Sequence, residues 1–276
     1  MALRPRIFAA SASAVALAAA GLTAGVAQAG QAPAAPAPAA VTKSAEKPAK
    51  WGYLGDLGPS HWGDLGYPVC AKGAKQSPID INTSRGIGLA NPRFDYGTVK
   101  LTLAETGHGV NVAPAKGARA NIASIKGKKY TFLQFHHHGP SEHQIDGLHY
   151  PAEVHFVNQA KDGSLAVFGV LVRGGGATNK AWKPVIDVIT KATADPAATS
   201  TTADLNALLP RDRRSFRYEG SLTTPPCSEG VAWTVFTKPV VLSSKQLNDL
   251  LEAYQGNARP VQPLNGRSVL FDRTKH

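Results

Sequence analysis

Two short segments of this chain place histidines in runs that read as β-strands. The first run, QFHHH, carries His136 and His138 two residues apart, and the second, PAEVHFVN, carries His155. Because successive side chains of a strand point to opposite faces, His136 and His138 share one face, while His137 points to the other. If the two strands are neighbours in a sheet, three imidazoles converge on one point. This requirement favours a β-sheet fold over a helical one.

The rest of the chain supports a sheet. Short β-rich runs alternate with Gly, Pro and Asn turns, namely VKLTL, KYTFLQFHHH, AEVHFVNQ, LAVFGVLV, FRYEGSL and VAWTVF. The better helical candidates are 181–192 and 243–255, and the second opens with serine and repeats Leu247, Leu250 and Leu251 along one helical stripe. We therefore expect a mainly β (α+β) protein with one large sheet and peripheral helices.

The N-terminal segment has the pattern of a secretory signal peptide over residues 1–29. Arg4 and Arg6 precede an apolar, alanine-rich run, and Ala27-Gln28-Ala29 supplies a small-x-small cleavage site. A transmembrane anchor is the alternative, but the run is rich in alanine and glycine rather than leucine. The sequence thus predicts an exported protein, periplasmic or secreted, without a membrane span.

Residues 30–50 are rich in proline and alanine and contain no aromatic residue. Such a segment cannot bury enough apolar surface to order itself, so we interpret it as a disordered linker. The segment from 51 to 276 shows no second linker and no internal repeat. We therefore expect one folded domain over 51–276.

The chain has two cysteines, Cys70 and Cys227. In an oxidising compartment such a pair is most simply one disulfide, and a loop of this length would stabilise the fold by about 4–5 kcal/mol. Two unpaired buried thiols are the alternative.

The formal net charge is +11, and the densest basic run is RDRRSFR, residues 211–217. No nucleic-acid-binding motif accompanies this run. We therefore expect a solvated basic face and no nucleic-acid partner.

The histidine pattern itself suggests a metal. Three neutral histidines with one open coordination position make a catalytic zinc site rather than a closed structural one. Glu153, two residues before His155, is suited to accept the second N–H of a metal-binding histidine. His-x-His followed by Glu142 also resembles the first metal motif of cupins, in which Glu142 would be a ligand, but the cupin glycines and second motif are missing. The His-Glu-x-x-His spacing of zinc peptidases is absent.

The motifs together resemble the α-class carbonic anhydrases of the exported bacterial type. The matching segments span the whole proposed domain and are WGYLG, CAKGAKQSPIDI, ETGHGVNV, LQFHHHGPSEHQIDG, PAEVHFVN, EGSLTTPPCSEGVAWTVF and NARPVQPLNGR. The resemblance implies a large twisted, mostly antiparallel sheet of about ten strands, with a metal at the bottom of a conical cleft. It also implies an enzyme, a carbonic anhydrase, in which a zinc-bound hydroxide reversibly hydrates CO₂ to bicarbonate and a proton. The protein would be a monomer or homodimer.

The resemblance also assigns roles around the metal. The zinc ligands would be His136, His138 and His155. Their outer nitrogens would be held by Gln134, Glu153 and the backbone carbonyl of Asn257. Thr223 and Glu142 would orient the zinc-bound hydroxide, with Thr223 donating its hydroxyl proton to Glu142.

Further roles follow from the same resemblance. His108 would be the proton shuttle, with Tyr53 near its water chain, and its histidine pKa near neutrality suits that task. Cys70 and Cys227 match the disulfide of the bacterial members. The apolar wall of the CO₂ pocket would consist of Val157, Val167, Leu222, Val231 and Trp233.

The chain departs from the family pattern at two positions. His137 stands where the family usually carries an aromatic residue, and Gly139 stands where related bacterial enzymes often have threonine. We expect that His137, His143 and His149 are not metal ligands. The alternative function is a non-catalytic binding module of the same fold. Such modules have lost a zinc histidine, whereas this chain retains all three.

Overall fold

The computed structural model describes residues 50–82, 84–194 and 199–272. The predicted signal peptide and nearly all of the predicted linker lie outside these residues, so both assignments stay predictions. No helix in the described part of the chain is long and apolar enough to cross a membrane.

The described residues form mostly strands. The strands are β1 (Asp80–Ile81), β2 (Arg85–Ile87), β3 (Arg93–Asp95), β4 (Thr98–Glu105), β5 (Val110–Pro114), β6 (Ile122–Ile125), β7 (Lys128–His138), β8 (Gln144–Ile145), β9 (Leu148–His149), β10 (Ala152–Gln159), β11 (Leu165–Arg173), β12 (Ser200–Asp204), β13 (Ser215–Ser221), β14 (Glu229–Phe236), β15 (Val240–Val241) and β16 (Leu270–Asp272). The α-helices are α1 (Pro68–Lys72), α2 (Lys183–Ala194) and α3 (Ser244–Ala253), and a 3₁₀ turn spans Gly55–Leu57. All six predicted strands and both predicted helices are present.

One mixed sheet of 13 strands organises the fold. Its main path runs β12-β4-β5-β7-β10-β11-β14-β13-β16-β2, while β3, β6 and β15 pair at its sides. Most neighbours in this sheet are antiparallel; among its described strands, β11–β14, β11–β15 and β16–β2 are parallel. A small sheet, β1-β8-β9, lies apart from this path. The predicted fold class is confirmed.

The central strands β10 and β11 are buried along almost their whole length. Side chains on one face, such as Phe135 and Phe156, belong to a core cluster that includes Val185 and Ile189 of helix α2. Side chains on the other face, such as Trp233, form a second cluster. The period-two pattern therefore sends apolar side chains toward the helices and leaves the opposite face free to build a site.

Helix α3 begins with a complete capping box. The Ser243 hydroxyl accepts from the backbone N–H of Gln246, and the Gln246 side chain accepts from the backbone N–H of Ser243. Leu251 of the same helix packs closely on Gly139, one of the departures from the family pattern. A Cβ atom at Gly139 would lie 2.5 Å from Leu251 Cδ2, so a larger residue there would require the Leu251 side chain to move.

The basic run at 211–217 is not the solvated face that its composition suggests. Arg214 pairs with Asp212 at 2.6 Å, and the Arg213 guanidinium lies 5.1 Å from the centre of the Phe94 ring. Arg217 is 7% exposed. The expectation of a simple solvated basic face is therefore wrong, because packing and ion pairing take up these three arginines.

The two cysteines form a disulfide, which confirms the predicted pairing. The bridge joins Cys70 in α1 to Cys227 in the loop before β14, across 157 positions of sequence. Both half-cystines pack against the buried ring of Trp62. The bridge therefore fixes the N-terminal part of the domain to the loop that carries Thr223.

We predict that replacing both half-cystines, Cys70→Ala with Cys227→Ala, lowers the free energy of unfolding by about 4–5 kcal/mol, because the unfolded chain regains the entropy of an open loop. Guanidinium denaturation of the variant and the parent protein measures this difference. The parent protein, unfolded without reductant, should show no free thiol; two titratable thiols would contradict the bridge.

Candidate active site

The pairing of β7 with β10 brings the three predicted ligands together. The strands are antiparallel, with His155 opposite His136 and Glu153 opposite His138. One ring nitrogen from each of the three histidines lies within 4.8 Å of the others. The convergence expected from strand alternation is therefore present.

Each of these imidazoles is held through its other nitrogen by an oxygen acceptor. His136 Nδ1 donates to Gln134 Oε1 at 2.9 Å, and His138 Nδ1 donates to the Asn257 backbone carbonyl at 2.7 Å. His155 Nε2 lies 3.0 Å from Glu153 Oε1. An imidazole that donates from one nitrogen presents a lone pair at the other, so the inward nitrogens of His136 and His138 are acceptors, and the carboxylate beside His155 Nε2 favours the same arrangement there.

The electrostatics of the cluster suit a cation. Burial lowers the pKa of all three histidines, and that of His138 is lowered to about 4. At His136 the neighbouring imidazoles add to the effect of burial. The imidazoles are therefore neutral at pH 7, as metal ligands must be. The buried Nε2 of His138 has no hydrogen-bond partner. An orphaned lone pair beside two others fits a bound transition-metal ion.

Glu142 lies directly beside the cluster. Its Oε1 accepts from the backbone N–H of Arg259 at 2.8 Å, and the Thr223 side chain provides a further hydrogen bond. Its Oε2 lies 3.4 Å from His138 Nε2. Burial raises the pKa of Glu142 to about 7, while a bound metal cation would lower it again. Thr223 and Glu142 are thus paired beside the three histidines.

The cupin alternative is wrong for this chain. A cupin is a double-sheet jelly roll, whereas this protein is built on one 13-stranded sheet.

A hydrogen-bonded chain behind the ligands was not foreseen from the sequence. Glu153 Oε1 accepts from His143 Nδ1 at 2.8 Å and lies 3.0 Å from His155 Nε2, and its Oε2 accepts from the His143 backbone N–H at 2.9 Å. His143 Nε2 accepts from the Tyr218 hydroxyl at 2.7 Å, which in turn contacts Ser77 Oγ at 2.9 Å. Although burial raises the Glu153 pKa, the two histidines outweigh it and hold that pKa well below its usual range.

These hydrogen bonds also show that His143 has a structural position behind the ligands. Both of its ring nitrogens are occupied, so it has no lone pair to offer a metal. The sequence signal for it was weak, because a histidine after Glu142 shows neither strand alternation nor any sequence proximity to Tyr218.

His137 faces away from the cluster, as strand alternation predicted. It is 2% exposed, and its Nε2 lies 3.3 Å from the backbone carbonyl of Tyr254, just after α3. Burial lowers its pKa to about 4, so it is neutral at pH 7 and can donate one hydrogen bond. His137 therefore links the ligand strand to the end of a helix. His149 lies at the surface, where its Nδ1 donates to the Ser141 carbonyl at 2.6 Å.

A cavity of about 220 Å³ opens beside His136, and Trp51, Tyr53, His108 and Thr224 line it. His108 stacks on Trp51 with ring centroids 3.7 Å apart. Burial in this stack lowers the His108 pKa below its usual value, so it lies below the near-neutral value expected from the sequence. Burial also raises the Tyr53 pKa, and the Glu142 charge raises it further.

The predicted apolar wall assembles next to His155. Its members belong to one cluster, with four buried and Leu222 partly buried: Val157, Val167, Leu222, Val231 and Trp233. The Trp233 ring lies 4.8 Å from the His155 ring, centroid to centroid, and its indole N–H donates to the Ser221 carbonyl at 2.9 Å. The site therefore has one apolar side and one hydrogen-bonded side.

Comparisons with known proteins agree with this geometry. The family model described as eukaryotic-type carbonic anhydrase matches residues 57–273. A carbonic anhydrase of Klebsiella pneumoniae is 40% identical over 226 residues, which are 80% of this chain and 90% of that protein. A carbonic anhydrase of Nostoc sp. is 37% identical over 243 residues, 83% of this chain and 89% of the relative.

Solved structures give the same result. The α-carbonic anhydrase of Thermovibrio ammonificans, in complex with the inhibitor sulfanilamide, superposes with a TM-score of 0.72 at 39% identity, covering 80% of this chain and 99% of that one. Dioscorin complexed with ascorbate superposes with a TM-score of 0.73 at 32% identity, covering 82% and 99%. The chain therefore belongs to the α-carbonic anhydrase family and is an enzyme of that family.

Proposed function

We propose that this protein hydrates CO₂ reversibly to bicarbonate and a proton with a zinc ion held by His136, His138 and His155. The observation that carries the proposal is the set of three neutral imidazoles, two of them buried and His136 partly buried, each with an oxygen beside its outer nitrogen. Zinc at three such ligands lowers the pKa of a coordinated water from 15.7 to about 7, a value established for carbonic anhydrases in general, and so supplies a nucleophile at neutral pH.

Thr223 and Glu142 would orient the attacking oxygen. Since the carboxylate of Glu142 accepts the Thr223 hydroxyl proton, the Thr223 oxygen is left to accept a hydrogen bond itself. The attacking oxygen would then donate its one proton to Thr223 and point a lone pair toward the substrate. Orientation of this kind removes much of the entropic cost of the reaction.

The apolar wall would hold CO₂ without hydrogen bonds. A nonpolar pocket beside His155 suits a molecule that has no hydrogen to donate, and Val157 and Trp233 leave no polar group unpaired when it binds. Bicarbonate is charged, so the same wall favours its release to the solvated side.

His108 would carry the released proton. It lines the cavity that adjoins His136, and its lowered pKa keeps its ring neutral and able to accept a proton at pH 7. The ring stacks on Trp51 and is only partly buried, so it can pass the proton on to buffer.

Binding without catalysis is the alternative function. It is disfavoured because all three histidines are present and each has an oxygen acceptor beside its outer nitrogen. A binding module without a catalytic metal does not need this arrangement. Export to an oxidising compartment is supported by the disulfide and by the charge and apolar pattern of residues 1–29.

The test of the proposal is a pair of variants in adjacent strands. We expect His155→Ala to lose bound zinc and to lower the rate of CO₂ hydration at least about 100-fold, because two imidazoles do not retain the ion. Zinc content by atomic absorption and stopped-flow hydration measure both effects.

The matched control is His137→Phe, which places the family's usual aromatic residue on the other face of the ligand strand. It should keep one zinc and nearly the full rate. Full zinc occupancy in His155→Ala, or loss of zinc in His137→Phe, would contradict the assigned ligand set.

For the proton step, we predict that His108→Ala lowers kcat about tenfold or more in weak buffer. It should leave kcat/KM nearly unchanged, because attack on CO₂ precedes proton removal. In the parent protein, kcat should rise with pH around the His108 pKa, which lies below 6.5, because the neutral ring is the proton acceptor. This rise in kcat should be absent from His108→Ala. Added imidazole should restore much of the rate; equal losses of kcat and kcat/KM would rule out this role.

A further inference from the structure

Arg259 lies outside the residues that the sequence singled out, yet it is buried next to the site. It is 2% exposed, and within the described ranges no carboxylate lies within ion-pair distance of its guanidinium. Burial lowers its pKa to about 10, so it is still a cation at neutral pH. A buried charge of this kind is costly unless its donors are satisfied.

Oxygens from the N-terminal part of the domain accept hydrogen bonds from both terminal nitrogens of this guanidinium. Nη1 donates to Gln76 Oε1 at 3.0 Å and to the Ser77 carbonyl at 2.7 Å, and Nη2 donates to the Cys70 carbonyl at 2.8 Å. The guanidinium carbon lies 5.5 Å from the centre of the Trp62 ring. One half-cystine is therefore bonded to Arg259 directly.

The other half-cystine is reached through one intermediate. The same Gln76 that accepts from Arg259 donates from Nε2 to the Cys227 carbonyl at 3.1 Å. Cys227 lies in the loop that carries Thr223, and its backbone N–H donates to the Thr224 carbonyl at 2.9 Å. The Arg259 side chain thus contacts the Cys70 segment directly and the Cys227 segment through Gln76.

The backbone of the same residue contacts the site itself. The Arg259 N–H donates to Glu142 Oε1 at 2.8 Å. Two residues earlier, the Asn257 carbonyl accepts from His138. A shift of the Arg259 side chain would therefore move the backbone that holds Glu142.

We propose that Arg259 is a positioning residue that couples the disulfide-bridged Cys70 and Cys227 segments to Glu142, and so holds the Thr223–Glu142 pair in its reactive geometry. The inference rests on the proposed function of that pair. It gives the guanidinium a role that lysine can fill only in part, because one ammonium does not span three acceptors in a fixed plane.

The first test compares Arg259→Gln with Arg217→Gln. Arg217 is also buried and bonds to Ser215 Oγ and the Ala90 carbonyl, outside the site. Both changes should lower the melting temperature. We expect only Arg259→Gln to lower kcat/KM for CO₂ hydration, at least tenfold per zinc-loaded protein, with a smaller fall in kcat, since the proton step limits kcat. Arg259→Lys should lie between the parent and Arg259→Gln.

The second test asks whether the effect travels through Gln76. Gln76→Ala keeps the disulfide and should lower kcat/KM severalfold. Combined with Arg259→Lys, its effect should be less than the product of the two single losses, since both changes interrupt one connection. This pair of variants also serves if Arg259→Gln does not fold.

The proposal is overturned if kcat/KM per zinc-loaded protein stays within twofold of the parent value in Arg259→Lys and Gln76→Ala. It is also overturned if Arg217→Gln loses as much as Arg259→Gln, or if the Gln76 and Arg259 losses multiply fully. A parent protein that binds zinc but does not hydrate CO₂ would instead overturn the proposed function.

Discussion

The register between β7 and β10 is the constraint on which the site depends. Antiparallel pairing sets His155 opposite His136 and Glu153 opposite His138. A slip of one residue would turn every side chain of β7 to the other face, so the imidazoles would meet the helices and Phe135 would fill the cleft. The aromatic packing of Phe135 on Phe156, with ring centroids 5.1 Å apart, opposes that slip. Packing on one face thus stabilises the chemistry on the other.

Burial then gives these residues their properties. Desolvation keeps the three imidazoles neutral and raises the pKa of both Glu142 and Glu153. At Glu153 the charge interactions and hydrogen bonds with His143 and His155 outweigh desolvation, whereas at Glu142 the interactions with His155, Thr223 and the Arg259 N–H do not. The two carboxyl groups therefore differ in pKa within one cluster. The buried His138 Nε2, which has no hydrogen-bond partner, lies where a cation would satisfy it.

Sequence reasoning succeeded where the physics is local. Alternation within QFHHH separates His136 and His138 from His137, and the helical stripe of Leu247 and Leu250 identifies α3. Contacts such as His138 with Asn257 join residues more than a hundred positions apart, and only the family resemblance supplied them. The positions of His143 and Arg259 beside the site could not be predicted from the sequence, because they depend on contacts with residues distant in the chain. The run at 211–217 was misjudged because composition does not show that Arg213 packs on aromatic rings.

The central claim is that three neutral imidazoles hold one zinc ion that is essential for CO₂ hydration. Zinc titration of chelator-stripped protein, followed by stopped-flow hydration at each step, tests it most directly. The account predicts no activity in the stripped protein and a linear rise that ends at one zinc per chain. Full activity without zinc, or a rise that continues well beyond one equivalent, would contradict it.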